Sequence, residues 1–197
     1  MTLRLILAGF CGGVIAALAL TLGQHILELP LRQQALLAAG LDLPPPSRQM
    51  DVIIIRNLLF GFVFSTLLAA VYTHRAPPEG RVSWREAALW GLAGFIALAL
   101  APGLTLPPTI DGLVHEEAPV WWLVAMAGAA LGLGLLAFGR RWRWLGLPLL
   151  LAPPLLAPES AIEDAPEGFL YVDLALDLGF WLLLGLATAW VLRRMNR

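Results

Sequence analysis

Lysine does not occur in this chain: all 13 basic residues among its 197 are arginine. A Walker A phosphate loop needs its lysine to reach the terminal phosphates, and Schiff-base chemistry needs an amine, so both are excluded. Cysteine is nearly absent too. Cys11 is the only one and lies inside an apolar run, which excludes a disulfide framework and a thiolate cage for zinc or iron–sulfur. Charge is the third shortage. Asp, Glu and Arg make up 14% of residues, against roughly 25% in an ordinary soluble domain.

What is present is apolar: 59% of side chains are hydrophobic and the mean hydropathy is +0.76. The excess is gathered into blocks at residues 3–27, 52–72, 84–106, 120–138, 145–157 and 169–192. Most are about as long as a helix must be to cross hydrocarbon. The fold class expected is therefore all-α: a polytopic helical membrane bundle of six spans forming one transmembrane domain over residues 1–197. The fifth block is short and broken by Pro148, Pro153 and Pro154. As a helix it would rise only about 20 Å, so its crossing requires an extended proline part buried by neighbours; the rival reading is a re-entrant segment.

Arginine placement decides between these. With a cytoplasmic N-terminus and six crossings, ten arginines fall inside: Arg4, Arg75, Arg81, Arg85, Arg140, Arg141, Arg143, Arg193, Arg194 and Arg197. Arg32 and Arg48 fall outside, and Arg56 lies just within the second span. This is the positive-inside bias, and it places both termini in the cytoplasm. A re-entrant fifth segment would instead put Arg140–Arg143 beside Glu159, Glu163, Asp164 and Glu167. The first block, with Arg4 and Ala17-Leu18-Ala19, also has the outline of a signal peptide. Its apolar stretch is long for one, so a retained span is expected. Gly9, Gly13 and Ala17 form one small-residue face, and Gly128 with Gly132 makes a G-x-x-x-G pair, both suited to close helix approach. Trp142 and Trp144 among the arginines read as an interfacial anchor.

In a membrane chain the informative residues are the polar ones at depth, because each needs a partner or a cavity. Thr21, Gln24, His25 and Glu28 recur at helical spacing near the outer end of the first span. Arg56 and Asn57 enter the second span at comparable depth, with Gly61 and Ser65 continuing the Asn57 face. Asp173 and Asp177 stand one turn apart near the outer end of the sixth. Imidazole with carboxylate suits a borderline dication such as cobalt or nickel, so His25, Glu28, Asp173 and Asp177 form the candidate metal set. Asp111, His115, Glu116 and Glu117 offer an outer capture surface, joined by the acids of 159–167, which would concentrate cations. Three alternatives stay open: Arg56 pairing with Asp173 or Asp177 as a structural ion pair, His25 serving as a cap where its helix ends, and the acidic loops being only the outer half of the charge bias. The third span is interrupted by Ala101-Pro102-Gly103, followed by Pro107 and Pro108. This break either frees carbonyls toward an ion or is a kink satisfied by neighbours. Below the polar layer only scattered groups such as Ser65 and Thr188 are expected.

The stretch LWGLAGFIALALAPGLTLPP at 89–108 resembles the central signature of the CbtA family of predicted cobalt transporters. QHILELPL at 24–31, WWLVAMAGAALGLGLLAF at 121–138 and FWLLLG at 180–185 are similar to it as well. The resemblance implies a bacterial inner-membrane protein linked to cobalt supply for cobalamin synthesis, and a small single-span companion with a histidine-rich tail. It carries over Gln24, His25, Pro30, Asn57, Pro102, Pro107 and Pro108. One departure is that the family's proline-histidine in the fifth span is Pro153-Pro154 here. The function expected is that of a membrane component of a divalent-cation uptake system, with cobalt or nickel as the transported ion, no resident cofactor and no nucleic-acid partner. The alternative is a non-transporting structural component of a larger membrane complex. An enzyme is not expected, since Asp173 and Asp177 share one helix and Ser65 has no histidine near it in sequence.

Overall fold

A computed structural model of the chain describes residues 2–43, 46–75, 83–103, 118–156, 166 and 168–195. Among them there is no strand. The helices are α1 Thr2–Gly23, α2 Leu29–Ala38, α3 Pro46–Arg75, α4 Trp84–Phe95, α5 Ala101–Gly103, α6 Ala118–Phe138, α7 Gly146–Leu156 and α8 Phe169–Met195. In hydrocarbon every backbone N–H and C=O must be satisfied within the segment, and long helices do this. Among the described residues four stretches are long and apolar enough to cross, Leu3–Ala38, Gln49–Thr73, Trp84–Gly103 and Phe169–Met195, and Val120–Leu136 is a shorter apolar helix. The protein is an all-α membrane protein.

The distribution of side chains is the reverse of a water-soluble core. Alanines fill the interior, among them Ala8, Ala16, Ala17, Ala69, Ala87 and Ala129, while Leu3, Phe10, Leu59, Leu67 and Leu131 point outward. Where the solvent is itself apolar there is no gain from hiding leucine, and small residues that let backbones approach take the inside.

Local chemistry explains the helix ends. Gly40 adopts φ 71, its N–H reaches Leu37 O at 3.1 Å, and Leu41 N–H reaches Leu36 O at 2.9 Å. This is a Schellman cap, and it needs the glycine for its left-handed backbone. Ser83 caps α4 by accepting from the Glu86 N–H at 3.0 Å. Pro46 opens α3 where its missing N–H costs nothing. Arg193 and Arg194 close α8, complementing the helix dipole.

Two prolines are carried within continuous helix. Pro30 does not end the first helix, and Pro102 leaves no open break in the third. Each is preceded by a turn of π-helix, Gln24–Glu28 and Ile96–Leu100, in which the residue before the proline bonds five residues back: Leu29 N–H to Gln24 O, Ala101 N–H to Ile96 O. A proline ring collides with the carbonyl four residues earlier. One extra residue in the turn moves that carbonyl aside, so the helix continues. The first apolar helix therefore runs to Ala38, beyond the boundary expected at 27, and His25 is not a terminal cap. The fifth segment also differs: Pro153 lies within helical α7 instead of in an extended stretch. At 11 residues, α7 rises about 16 Å.

The chain divides into two compact units. The first comprises Met1–Leu29, Pro44–Leu92 and Ala175–Arg197. In it α1 and α3 run antiparallel with glycine at the seam. A Cβ on Gly61 would stand 2.5 Å from Gly13 O, and one on Gly9 would strike Thr66. The expected face of Gly9, Gly13 and Ala17 is thus the packing face. Gly91 and Gly185 bring α4 and α8 equally close, and Arg193 lies 4.8 Å over the Trp84 ring. The second unit comprises Pro30–Leu43 and Ala93–Leu174. There Gly128 and Gly132 admit the backbone of α7 at Leu149, Gly146 and Leu150. Ala97 and Ala101 pack on Ala129, and Ala35 and Leu36 pack on Phe169.

Candidate functional site

Part of the polar level expected from the sequence lies in the first unit, where α1, the π-turn after it and α3 meet. Asn57 Nδ2 donates to Thr21 Oγ1 at 3.0 Å and to Gln24 Oε1 at 2.7 Å. Asn57 is 3% exposed, and Thr21 and Gln24 are buried with it. Glu28 follows on the same side, 1% exposed and among the largest sealed side chains. A carboxylate at that depth is costly and marks a functional position by default.

His25 is the residue the sequence misplaced. A 3.6-residue period puts it beside Gln24 and Glu28, yet it is exposed while both of those are buried. The π-turn is the reason. With one more residue in the turn, Glu28 falls short of a full circle and lies on the other side of Gln24 from His25, so the imidazole is turned away from both.

The acids of α8 are less deeply placed. Asp177, partly buried, belongs to the first unit; Asp173, also partly buried, belongs to the second. Glu28, Arg56, Asp173 and Asp177 each interact with a neighbouring group. Among the described residues no three or more His, Cys, Asp or Glu side chains gather as a metal cage. Asp111, His115, Glu116, Glu117, Pro107 and Pro108 lie outside the described residues, as do Glu159, Glu163, Asp164 and Glu167. Pro102 is buried, and the break it causes is bridged by the helix's own Ala101-to-Ile96 bond.

A second polar tier, expected only as scattered groups, is assembled. Ser65 Oγ and Thr188 Oγ1 meet at 2.6 Å, and Thr188 Oγ1 also donates to Leu184 O at 2.6 Å. A hydroxyl has one proton, so Ser65 is the donor between them. Gly12 lies beneath: a Cβ there would be 2.7 Å from Thr188 Oγ1 and 2.8 Å from Ser65 Oγ. Further along, the Tyr72 hydroxyl is directed at Ala87 O (3.3 Å) and Gly185 O (3.4 Å), tying α3 to α4 and α8. Asn57, Gly61, Ser65, Ala69 and Tyr72 thus share one buried, small-or-polar face of α3. Its first part, Asn57, Gly61 and Ser65, was legible; its continuation through Ala69 and Tyr72 and the partners Thr188, Ala87 and Gly185 were not.

A family model described as a probable cobalt transporter subunit (CbtA) matches residues 46–193, about three quarters of the chain. The match takes in Asn57, Pro102, Asp173 and Asp177 and begins after Gln24, His25 and Pro30. No curated protein matches, and no solved structure matches.

Proposed function

The chain belongs to the CbtA family of probable cobalt transporter subunits, and from that premise we propose that it is the translocating membrane component of a cobalt uptake system serving cobalamin synthesis. The observation that carries this reading is the buried set of Thr21, Gln24 and Asn57, joined by hydrogen bonds, with the buried Glu28 carboxyl one turn further along the same helix. Carboxamides and a carboxylate can replace part of the water around a dication, and imidazole or carboxylate suits cobalt and nickel. In the proposed path the acids of 111–117 gather the hydrated ion. His25 meets it from the exposed side of the π-turn, and Glu28 and Asp177 carry the balancing charge. A site with few protein ligands fits a cargo that has to leave again. The protein sits in the bacterial inner membrane with both termini inside, and a small histidine-rich companion receives the ion. The cell-negative potential favours entry by about 2.3 kcal/mol per charge per 100 mV, twice that for a dication. No nucleotide hydrolysis and no enzymatic step is invoked.

The second reading, an accessory role without transport, is favoured by one observation. The glycine seam at Gly13 and Gly61 brings two backbones into direct contact just below the cluster. Proteoliposomes with an inside-negative potential separate the readings. Transport predicts cobalt entry, strongly reduced by Glu28→Gln and reduced to a lesser degree by His25→Ala. Absence of flux with the companion co-reconstituted establishes the accessory role.

A further inference from the structure

The turn joining α6 to α7 is a short 3-10 helix, Arg140–Leu145, with the sequence RRWRWL and no buried residue. Trp142 and Trp144 are 49% and 62% exposed, and the three arginines are exposed with them. From Ala118 to Leu156 there is no Asp or Glu, so the hairpin offers these guanidinium groups no carboxylate of its own.

In a 3-10 helix residues three apart eclipse each other. From Arg141 onward this sets Arg141 with Trp144 and Trp142 with Leu145, one edge mixed and one apolar, while Arg140, off the right-handed spiral at φ 35, stands at the head of the segment. The Arg141 guanidinium lies 5.1 Å over the Trp142 ring, setting a basic side chain against the apolar edge.

The backbone adds an independent observation. Arg140 has φ 35, a left-handed conformation that favours glycine, while its neighbour Gly139 sits at φ −74 and ψ 6, open to any residue. Glycine stands next to the position where it would relieve strain, and arginine occupies the strained one. A strained residue at an exposed turn points to a use for its side chain. Guanidinium binds phosphate oxygens in a bidentate fork, and tryptophan settles at headgroup level.

We propose that Arg140, Arg143 and the tryptophans of this turn form a binding site for the phosphate headgroups of anionic phospholipids. The Trp142–Leu145 edge enters the acyl boundary, and the exposed Arg140 and Arg143 hold the phosphates.

The test uses the purified full chain in mixed micelles of phosphatidylglycerol and phosphatidylcholine at equal amounts, read by native mass spectrometry, with thermal stability followed in parallel. Phosphatidylglycerol is expected to be retained in preference, with each arginine worth roughly fivefold. Arg140→Gly relieves the backbone, so it should leave stability in phosphatidylcholine unchanged or higher while reducing retention of the anionic lipid. Arg140→Gln with Arg143→Gln should reduce it more than tenfold. Equal retention of both lipids by the unaltered chain overturns the proposal, as does undiminished preference in the double variant. Inorganic phosphate reproducing the whole stability gain overturns the lipid as its source.

Discussion

Replacing Asn57 by leucine tests whether α1 and α3 meet through their polar groups. The side chain donates two hydrogen bonds, at 3.0 and 2.7 Å, inside a sealed environment. Losing it leaves two acceptors. The Thr21 hydroxyl has a local alternative, because a threonine in a helix can turn to the carbonyl four residues back, as Thr66 and Thr73 do here. Gln24 has no such recourse, and an orphaned buried carboxamide costs about 1–3 kcal/mol. Asn57→Leu is therefore expected to destabilise by about 2 kcal/mol. Gln24→Leu leaves Asn57 its bond to Thr21 and should cost about 1 kcal/mol, the scale of one interhelical hydrogen bond in a membrane. The double variant orphans neither carboxamide and should cost about 2 kcal/mol, for a coupling near 1 kcal/mol. Equilibrium unfolding in bicelles by steric trapping measures all three. Additivity within about 0.3 kcal/mol would show that the side chains do not meet and would refute the reasoning.

Two further outcomes follow from the packing. Gly13→Ala and Gly61→Ala each drive a methyl into backbone across the seam and should cost about 1–3 kcal/mol, whereas Gly134→Ala, with nothing within 4 Å of its Cβ, should be neutral or slightly stabilising; the same unfolding assay compares them. Ser65→Ala removes a donor while Thr188 keeps its bond to Leu184 O, so a loss below about 1 kcal/mol is expected, against a much larger one for Ser65→Leu, which has Gly12 and Thr188 in the way.

The spans were legible because hydropathy over about 20 residues is a property of composition, which no later packing alters. The small-residue face of Gly9, Gly13 and Ala17 was legible for a similar reason: glycine at regular spacing has few uses in lipid other than close approach. Gln24, Glu28 and Asn57 were found because buried polar groups are conspicuous against apolar sequence. His25 was placed wrongly because a single surplus residue breaks the period on which the reading relied, and only the collision of the Pro30 ring with the preceding turn reveals it. Pro153 was expected in extended chain and is helical. Thr188 was unseen as a partner for Ser65 because 123 positions separate them, and no local pattern joins residues that far apart.

The widened turn before Pro30 also preserves the angular phase of everything ahead of it. Its surplus residue is taken up inside one turn, so the helix on either side keeps nearly the direction an unbroken α-helix would give it. Deleting one residue from 25–28 would therefore restore ordinary winding with Gly13 still turned to Gly61, and the cost would fall on the Pro30 ring, brought against the carbonyl four residues earlier. Deleting one residue between Gly13 and Gly23, inside regular α-helix, has no such outlet: it offsets Gly13 by about 100° and turns it off the seam. The wide turn is thus a place where the first helix can lose a residue without losing its packing face.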